Sequence, residues 1–208
     1  GGAGDIYYVN RTTGELTQVT DDLFEDKDPT WSPDDGAIVF SSARTHYGEN
    51  GAYNLYLNDL GTGKNYQLTT GRHIDMAPSW SPDGNFIAFT SDREGAFNLY
   101  LMEMEPLPAP VMLRRNGSNG SGSNGYVPRP GFQPAAIRKA TEFNTRAFGP
   151  EWTPEGDLFF TAYENYGYQL RKKENVIAET INKPVLTVAT AEPEVPRPPL
   201  DLSYKLTG

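Results

Sequence analysis

The chain has 208 residues, enough for one sizeable domain and short for two, and carries a formal net charge of −9. Its lack of cysteine excludes a disulfide framework, thiolate metal sites and a lipid-modified cysteine, and it has no apolar run of about 18 residues that would cross a membrane as a helix. The charge is uneven: residues 1–110 hold 17 acidic and 6 basic side chains and the remainder 10 acidic and 12 basic, so the basic footprint of a nucleic-acid binder is missing from the first part and weak in the second.

With 12 Tyr, 10 Phe, 3 Trp, 21 Gly and 17 Pro, and no long helical periodicity, the composition predicts short strands joined by many turns, an all-β class. The chain begins at Gly1 without a methionine or signal-like segment, as expected of a processed form or of part of something longer. Asp5-Ile-Tyr-Tyr8 and the segment ending at Val19-Thr20 predict two strands around a turn at Thr13-Gly14. The acidic stretch Asp21–Asp28 lacks the alternating ligand spacing of a calcium loop and reads as a solvated connection. Pro29-Thr-Trp31-Ser-Pro33-Asp-Asp-Gly-Ala-Ile-Val-Phe40 then predicts a strand, a tight turn and an apolar strand. Asn54-Leu-Tyr-Leu57 supplies the next strand, and a last one closes at Leu68-Thr69 after a turn at Thr62-Gly63. The series returns with Pro78-Ser-Trp80-Ser-Pro82-Asp-Gly-Asn-Phe-Ile-Ala-Phe89 and Asn98-Leu-Tyr-Leu101, and again with Ala140-Thr141 and Pro150-Glu-Trp152-Thr-Pro154-Glu-Gly-Asp-Leu-Phe-Phe160.

Trp31 and Trp80 stand 49 residues apart and Trp80 and Trp152 72, while Thr20, Thr69 and Thr141 each precede their repeat's proline by nine. Two landmarks in phase identify internal repeats, and four short strands per unit of this length make the blade of a propeller. In the turn, Pro82 fixes φ, Asp83 can bond the backbone two residues on and Gly84 supplies positive φ. Pro33 and Pro154 hold the same turn position, and Trp31, Trp80 and Trp152 are expected to pack between blades.

Pro-x-Trp-Ser-Pro-Asp-Gly-x-x-Ile-Ala-Phe-x-Ser-Asp-Arg, present almost in full from Pro78 to Arg93, resembles the WD40-like (PD40) repeat of TolB-type propellers, found also in the propeller domains of tricorn-like and prolyl-oligopeptidase-like peptidases. The first repeat departs with Asp34-Asp35-Gly36 in the turn and Ser-Ala-Arg44 after the strand. The third has Thr-Pro-Glu-Gly, one residue fewer before Phe160, and Tyr163-Glu164 in place of the Asp-Arg pair. The resemblance covers residues 5–104 and 137–181 and implies a partial β-propeller of four-stranded blades, about three repeats plus an N-terminal half-blade, with an extended C-terminal tail. Such rings usually have about six or seven blades, so this number implies blades from elsewhere, a reduced ring, or a partner over the open edges.

The blades are expected within residues 1–183, interrupted by an insertion at 105–136 whose Pro/Gly/Ser/Asn-rich composition reads as flexible chain with apolar flanks. Residues 184–208, rich in proline, read as an extended arm for a terminal strand or a neighbouring subunit. No Gly-x-Ser-x-Gly elbow or phosphate loop occurs, and the two histidines, His46 and His73, occupy different repeat positions. The sequence therefore predicts no catalytic residues, no metal ligands and no cofactor. The expected function is non-catalytic binding or scaffolding of other protein subunits, as an accessory subunit of a cell-envelope or membrane-associated complex, periplasmic by the resemblance. Tyr47, Arg72, Arg93 and Phe97 are the expected partner-binding residues, being aromatic or Arg anchors at blade ends. Two alternatives are the substrate-gating propeller of a serine peptidase whose catalytic domain is not in this chain, and a sugar- or metal-dependent propeller enzyme needing His46 and His73 in one pocket.

Overall fold

Each Trp-centred stretch forms the first strand of an antiparallel sheet. The computed structural model describes residues 4–45, 48–104 and 134–186. A two-stranded half-blade, β1 (Tyr7–Val9) and β2 (Leu16–Gln18), precedes a four-stranded sheet of β3 (Asp26–Trp31), β4 (Ala37–Ser42), β5 (Asn54–Asp59) and β6 (Lys64–Gln67). A second four-stranded sheet contains β7 (Asp75–Trp80), β8 (Phe86–Ser91), β9 (Asn98–Met104) and β10 (Pro134–Lys139). The third contains β11 (Arg146–Trp152), β12 (Leu158–Glu164) and β13 (Gly167–Lys173). Pro134 thus begins a strand within the span that composition assigns to the insertion, and residues 105–133 lie outside the described residues.

The sheets stack face to face, and this is why their middle strands carry runs such as Ile38-Val39-Phe40 and Ile87-Ala88-Phe89, buried on both faces. Successive residues of a strand point to opposite faces, so each run feeds two cores at once. Ile38 and Phe40 pack with Ile6 and Tyr56 towards the half-blade, while Val39 packs with Leu57, Phe89, Tyr100 and Met102 between the first and second sheets. Ala88, Leu99 and Leu101 then meet Leu158, Phe160 and Ala162 of the third sheet.

The threonine landmark has a direct cause. Thr20, Thr69 and Thr141 each accept a hydrogen bond at Oγ1 from the backbone N–H of Ile6, Leu55 and Leu99, at 2.9, 2.8 and 2.9 Å. The hydroxyl supplies the acceptor that the outer strand lacks where it leaves the sheet. The turn also closes as its residues predict. Asp83 Oδ1 accepts from Ser81 Oγ at 2.6 Å and from Asn85 N at 3.1 Å, and Gly84 takes φ 72°. In the first repeat Asp35, not Gly36, occupies that left-handed position, with φ 57°.

A bulge interrupts the first strand of each of the three Trp-bearing sheets. Asp28, Ala77 and Gly149, each three residues before its tryptophan, have φ of 54°, 49° and 63°, and the pairing register shifts across each.

Among the described residues the third unit has three strands, where the repeat predicts four. After β13 the chain turns through Asn175, with φ 51°, into the short helix α1 (Val176–Thr180). Val176 is buried in the core shared by the second and third sheets, so the start of the helix helps to close that core. Leu186 N then donates to Ile137 O at 2.9 Å, and Arg138 Nε to Lys183 O at 3.2 Å, covering part of the outer edge of β10.

The tryptophans occupy one strand position but unequal surroundings. Trp80 is 7% exposed between the first two sheets, whereas Trp31 is 44% exposed and meets Tyr8 edge-on at 5.3 Å. The difference follows from the half-blade, which offers Trp31 two strands where Trp80 has a full sheet to pack on.

Candidate functional site

Of the four residues expected to bind a partner, Tyr47 lies outside the described residues. Arg72 is exposed on the connection between β6 and β7. Arg93 is instead part of the sheet's own framework: its Nη2 donates to Asp75 Oδ1 at 2.9 Å, its Nε to Ser91 Oγ at 3.0 Å, and its guanidinium lies 5.1 and 5.0 Å from the centres of the Phe89 and Tyr100 rings. Phe97, half-buried immediately before β9, is bridged to Arg146 and so lies where the second and third sheets meet.

The Arg93 arrangement is a repeat element. Asp26, Ser42 and Arg44 are placed as Asp75, Ser91 and Arg93 are, each aspartate opposite its serine in the ladder. Arg44 Nη2 donates to Asp26 Oδ2 at 2.6 Å and is also paired with Asp22 at 3.1 Å. Part of the acidic stretch read as solvated is therefore buried and paired. Asp75 and Asp26 are thus counterparts in successive repeats, each held in the ladder opposite a serine. The two carboxyls nevertheless differ. Burial pushes both up; for Asp75 the close approach of His73 and the charges of Arg93 and His73 outweigh it and hold the carboxyl below its ordinary value. For Asp26 burial prevails over Ser42 and Arg44 and the carboxyl is raised. In the third sheet Ala147 and Ala162 take the aspartate and serine places, an apolar solution at the same ladder rung.

His73 Nε2 lies 3.2 Å from Asp75 Oδ2, so its nearest acid is already engaged with Arg93. His46 lies outside the described residues, and among the described residues no group of three or more His, Asp or Glu is placed to hold a metal ion.

The surface that stands out is the outer face of the third sheet. Along β12, Leu158, Phe160 and Ala162 are buried against the second sheet, leaving Phe159, Thr161 and Tyr163 on the opposite face. Leu170 and Tyr168 of β13 pair with Thr161 and Tyr163 and so share that face. Tyr168 packs edge-on against Tyr163 at 5.2 Å and Phe148 at 5.8 Å, yet is 62% exposed, and Leu170 is 73% exposed. At the far end of the stack the paired Val9 and Leu16, with Tyr7, are exposed in the same way. The signal for these faces was the apolar alternation of ordinary blade strands; nothing local distinguishes a strand with a neighbour from one without.

Comparison with solved structures places this stack. A TolB-type protein from Agrobacterium tumefaciens aligns over 91% of the chain and 58% of its own, with 18% identity and a TM-score of 0.61. The fold is that of a TolB-like β-propeller. A chain of Kuenenia stuttgartiensis hydrazine synthase aligns over 81% of this one and 26% of its own, with 16% identity and a TM-score of 0.53. The propeller segment thus spans less than two thirds of either chain. Residues 32–126 match the family described as the dipeptidyl peptidase IV (DPP IV) N-terminal region. No curated protein sequence matches the chain. Among the described residues, no helix is long and apolar enough to cross a membrane.

Proposed function

We propose that the chain is a non-catalytic association module whose blades bind other protein subunits, and that it serves as an accessory subunit of a cell-envelope or membrane-associated complex. The observation that carries this reading is the pair of uncovered apolar sheet faces at the two ends of the stack, around Leu170 and Tyr168 and around Val9 and Leu16. Inside the stack the corresponding faces are buried by a neighbouring sheet, and exposed apolar patches of this kind mark interaction sites. Residues at blade ends, Arg72 and Phe97 among those described and Tyr47 beyond them, would extend the contact. The resemblance to TolB supports a periplasmic or other extracytoplasmic location.

Light scattering on the purified chain, followed by identification of co-purifying proteins, tests the proposal. Association through these faces gives a mass above that of one chain, reduced by Leu170→Lys. A stable monomer that captures nothing from its own cells overturns it.

The match over residues 32–126 favours a second reading, the substrate-gating propeller of a serine peptidase whose catalytic domain lies outside this chain. Peptidase activity in the material that co-purifies with the chain, sensitive to a serine-directed inhibitor, would establish that reading over the first.

A further inference from the structure

We infer that the hollow between the second and third sheets receives one apolar side chain of a partner polypeptide, and that Arg146 pairs with a carboxylate beside it. This deepens the association reading and rests on it. The hollow is lined by Met76, Thr90, Phe97, Arg146, Phe148 and Tyr168 and has a volume of about 200 Å³. Sites for small-molecule ligands generally measure ~300–1,000 Å³, so this one is closer to the size of a single side chain. Its walls are thioether and aromatic rings, which favour an apolar occupant.

Arg146 gives the hollow its sign. Arg44, Arg93, Arg138 and Arg171 each hold a carboxylate, whereas Arg146 has none among the described residues. A guanidinium at the rim of an apolar hollow selects a planar anion next to an apolar group, because a hydrogen bond to an ionised partner is stronger than one to a neutral group. The frame is already set. Ala147 N donates to Phe97 O at 2.8 Å and Gly149 N to Thr90 Oγ1 at 3.0 Å, fixing the start of β11 against the second sheet. Tyr168 belongs both to the hollow and to the uncovered face of the third sheet, so a polypeptide seated on that face reaches the hollow without leaving the surface. Such a buried anchor beside a charged contact is the usual form of an interface hot spot.

The test is a titration of the isotope-labelled full chain, followed by amide NMR, with end-blocked peptides. The probes are Gly-Ser-Phe-Glu-Ser-Gly and its two controls, one with Gln for Glu and one with Ala for Phe. The signals of Phe97, Ala147, Phe148 and Gly149 are expected to move, with the Phe-Glu peptide binding on the order of tenfold more tightly than either control. Arg146→Gln, at an exposed position that retains the fold, is expected to abolish the preference for Glu over Gln while leaving the preference for Phe over Ala. Equal binding of the Glu and Gln peptides, shifts confined to other regions, or no shifts at all would each overturn the inference. Light scattering separates this result from the broader reading: a chain that associates but ignores the peptides loses only the hollow, and a monomer that discriminates them loses only the accessory-subunit role.

Discussion

Replacing Asp75 by Ala removes the acceptor for a guanidinium that sits almost wholly inside the second sheet. The side chains of Asp75 and Arg93 are 0% and 7% exposed, and Arg93 lies against the rings of Phe89 and Tyr100. Breaking one side of a buried pair leaves the other charge uncompensated and costs ~3–5 kcal/mol. For a chain of this size each kcal/mol lowers Tm by about 2–4 °C, so a loss of roughly 6–20 °C is expected. Arg93→Met keeps an apolar stem on the two rings and strands the carboxylate instead, at a cost of similar order. The double variant strands neither charge. Its cost should fall short of the summed singles by roughly 2–3 kcal/mol or more, the coupling expected of direct partners. The third sheet, where Ala147 and Ala162 fill the same rung, shows that a blade tolerates the apolar alternative. Urea unfolding of the four proteins, followed by tryptophan fluorescence and far-ultraviolet circular dichroism, reads the cycle. Additive single effects, or a loss below about 1 kcal/mol for Asp75→Ala, would show that the pair does not hold the blade as argued.

The depressed Asp75 carboxyl also sets an acid response. Folding lowers its pKa below the ordinary 3.8, so its contribution is complete above that value and is lost as pH falls through the lower folded pKa; Asp75→Asn should lower stability at neutral pH and flatten this acid limb in Tm measurements below pH 4. Asp26, raised by burial, has the opposite sign, and its ionisation opposes folding as pH rises through its folded pKa. Ala77 holds φ 49° in the bulge before Trp80. Ala77→Gly relieves roughly 1–2 kcal/mol of left-handed strain against ~0.5–1 of added chain entropy, so a small rise in the urea midpoint is expected. Thr69→Val leaves the buried Leu55 N–H without its acceptor and should cost ~1–3 kcal/mol in the same assay.

What could be read from the chain was whatever recurs in phase. The Trp-Ser-Pro-Asp-Gly turn, the two-faced Ile-Ala-Phe strand and the closing threonine each answer a demand made inside a single unit, so they appear in the sequence at a fixed spacing. Asp26 and Asp75 also recur in phase, each three residues before its proline, but a buried aspartate is identified only together with its arginine, 18 residues later across the ladder. Features set by neighbours were not legible. Arg146 precedes Trp152 as an ordinary strand residue, and its role depends on Phe97 and Tyr168, which two different sheets bring to it. The place of Val176 is equally non-local, since it leaves the repeat pattern to join a core that the second and third sheets build together. Trp31 and Trp80 give the plainest case: one motif, two environments, decided by what stands before each.

The same asymmetry orders local stability along the stack. In a linear array each unit is held mainly by its neighbours, so a unit flanked on both sides opens last and one flanked on a single side opens first. The second sheet contributes to the two larger cores, with Phe89 and Met102 facing one way and Leu99 and Leu101 the other. The half-blade has only three paired residues per strand and one small core around Ile6. Hydrogen exchange should therefore find the amides of β8 and β9 opening only with global unfolding, and those of β1 and β2 at a much smaller free energy. A partner that covers Val9 and Leu16 would slow exchange in β1 and β2 selectively, which makes the experiment a probe of docking as well as of cohesion. If the half-blade exchanged as slowly as β8 in the isolated chain, the units would fold as one cooperative body. The exposed faces at the ends would then owe nothing to a missing neighbour.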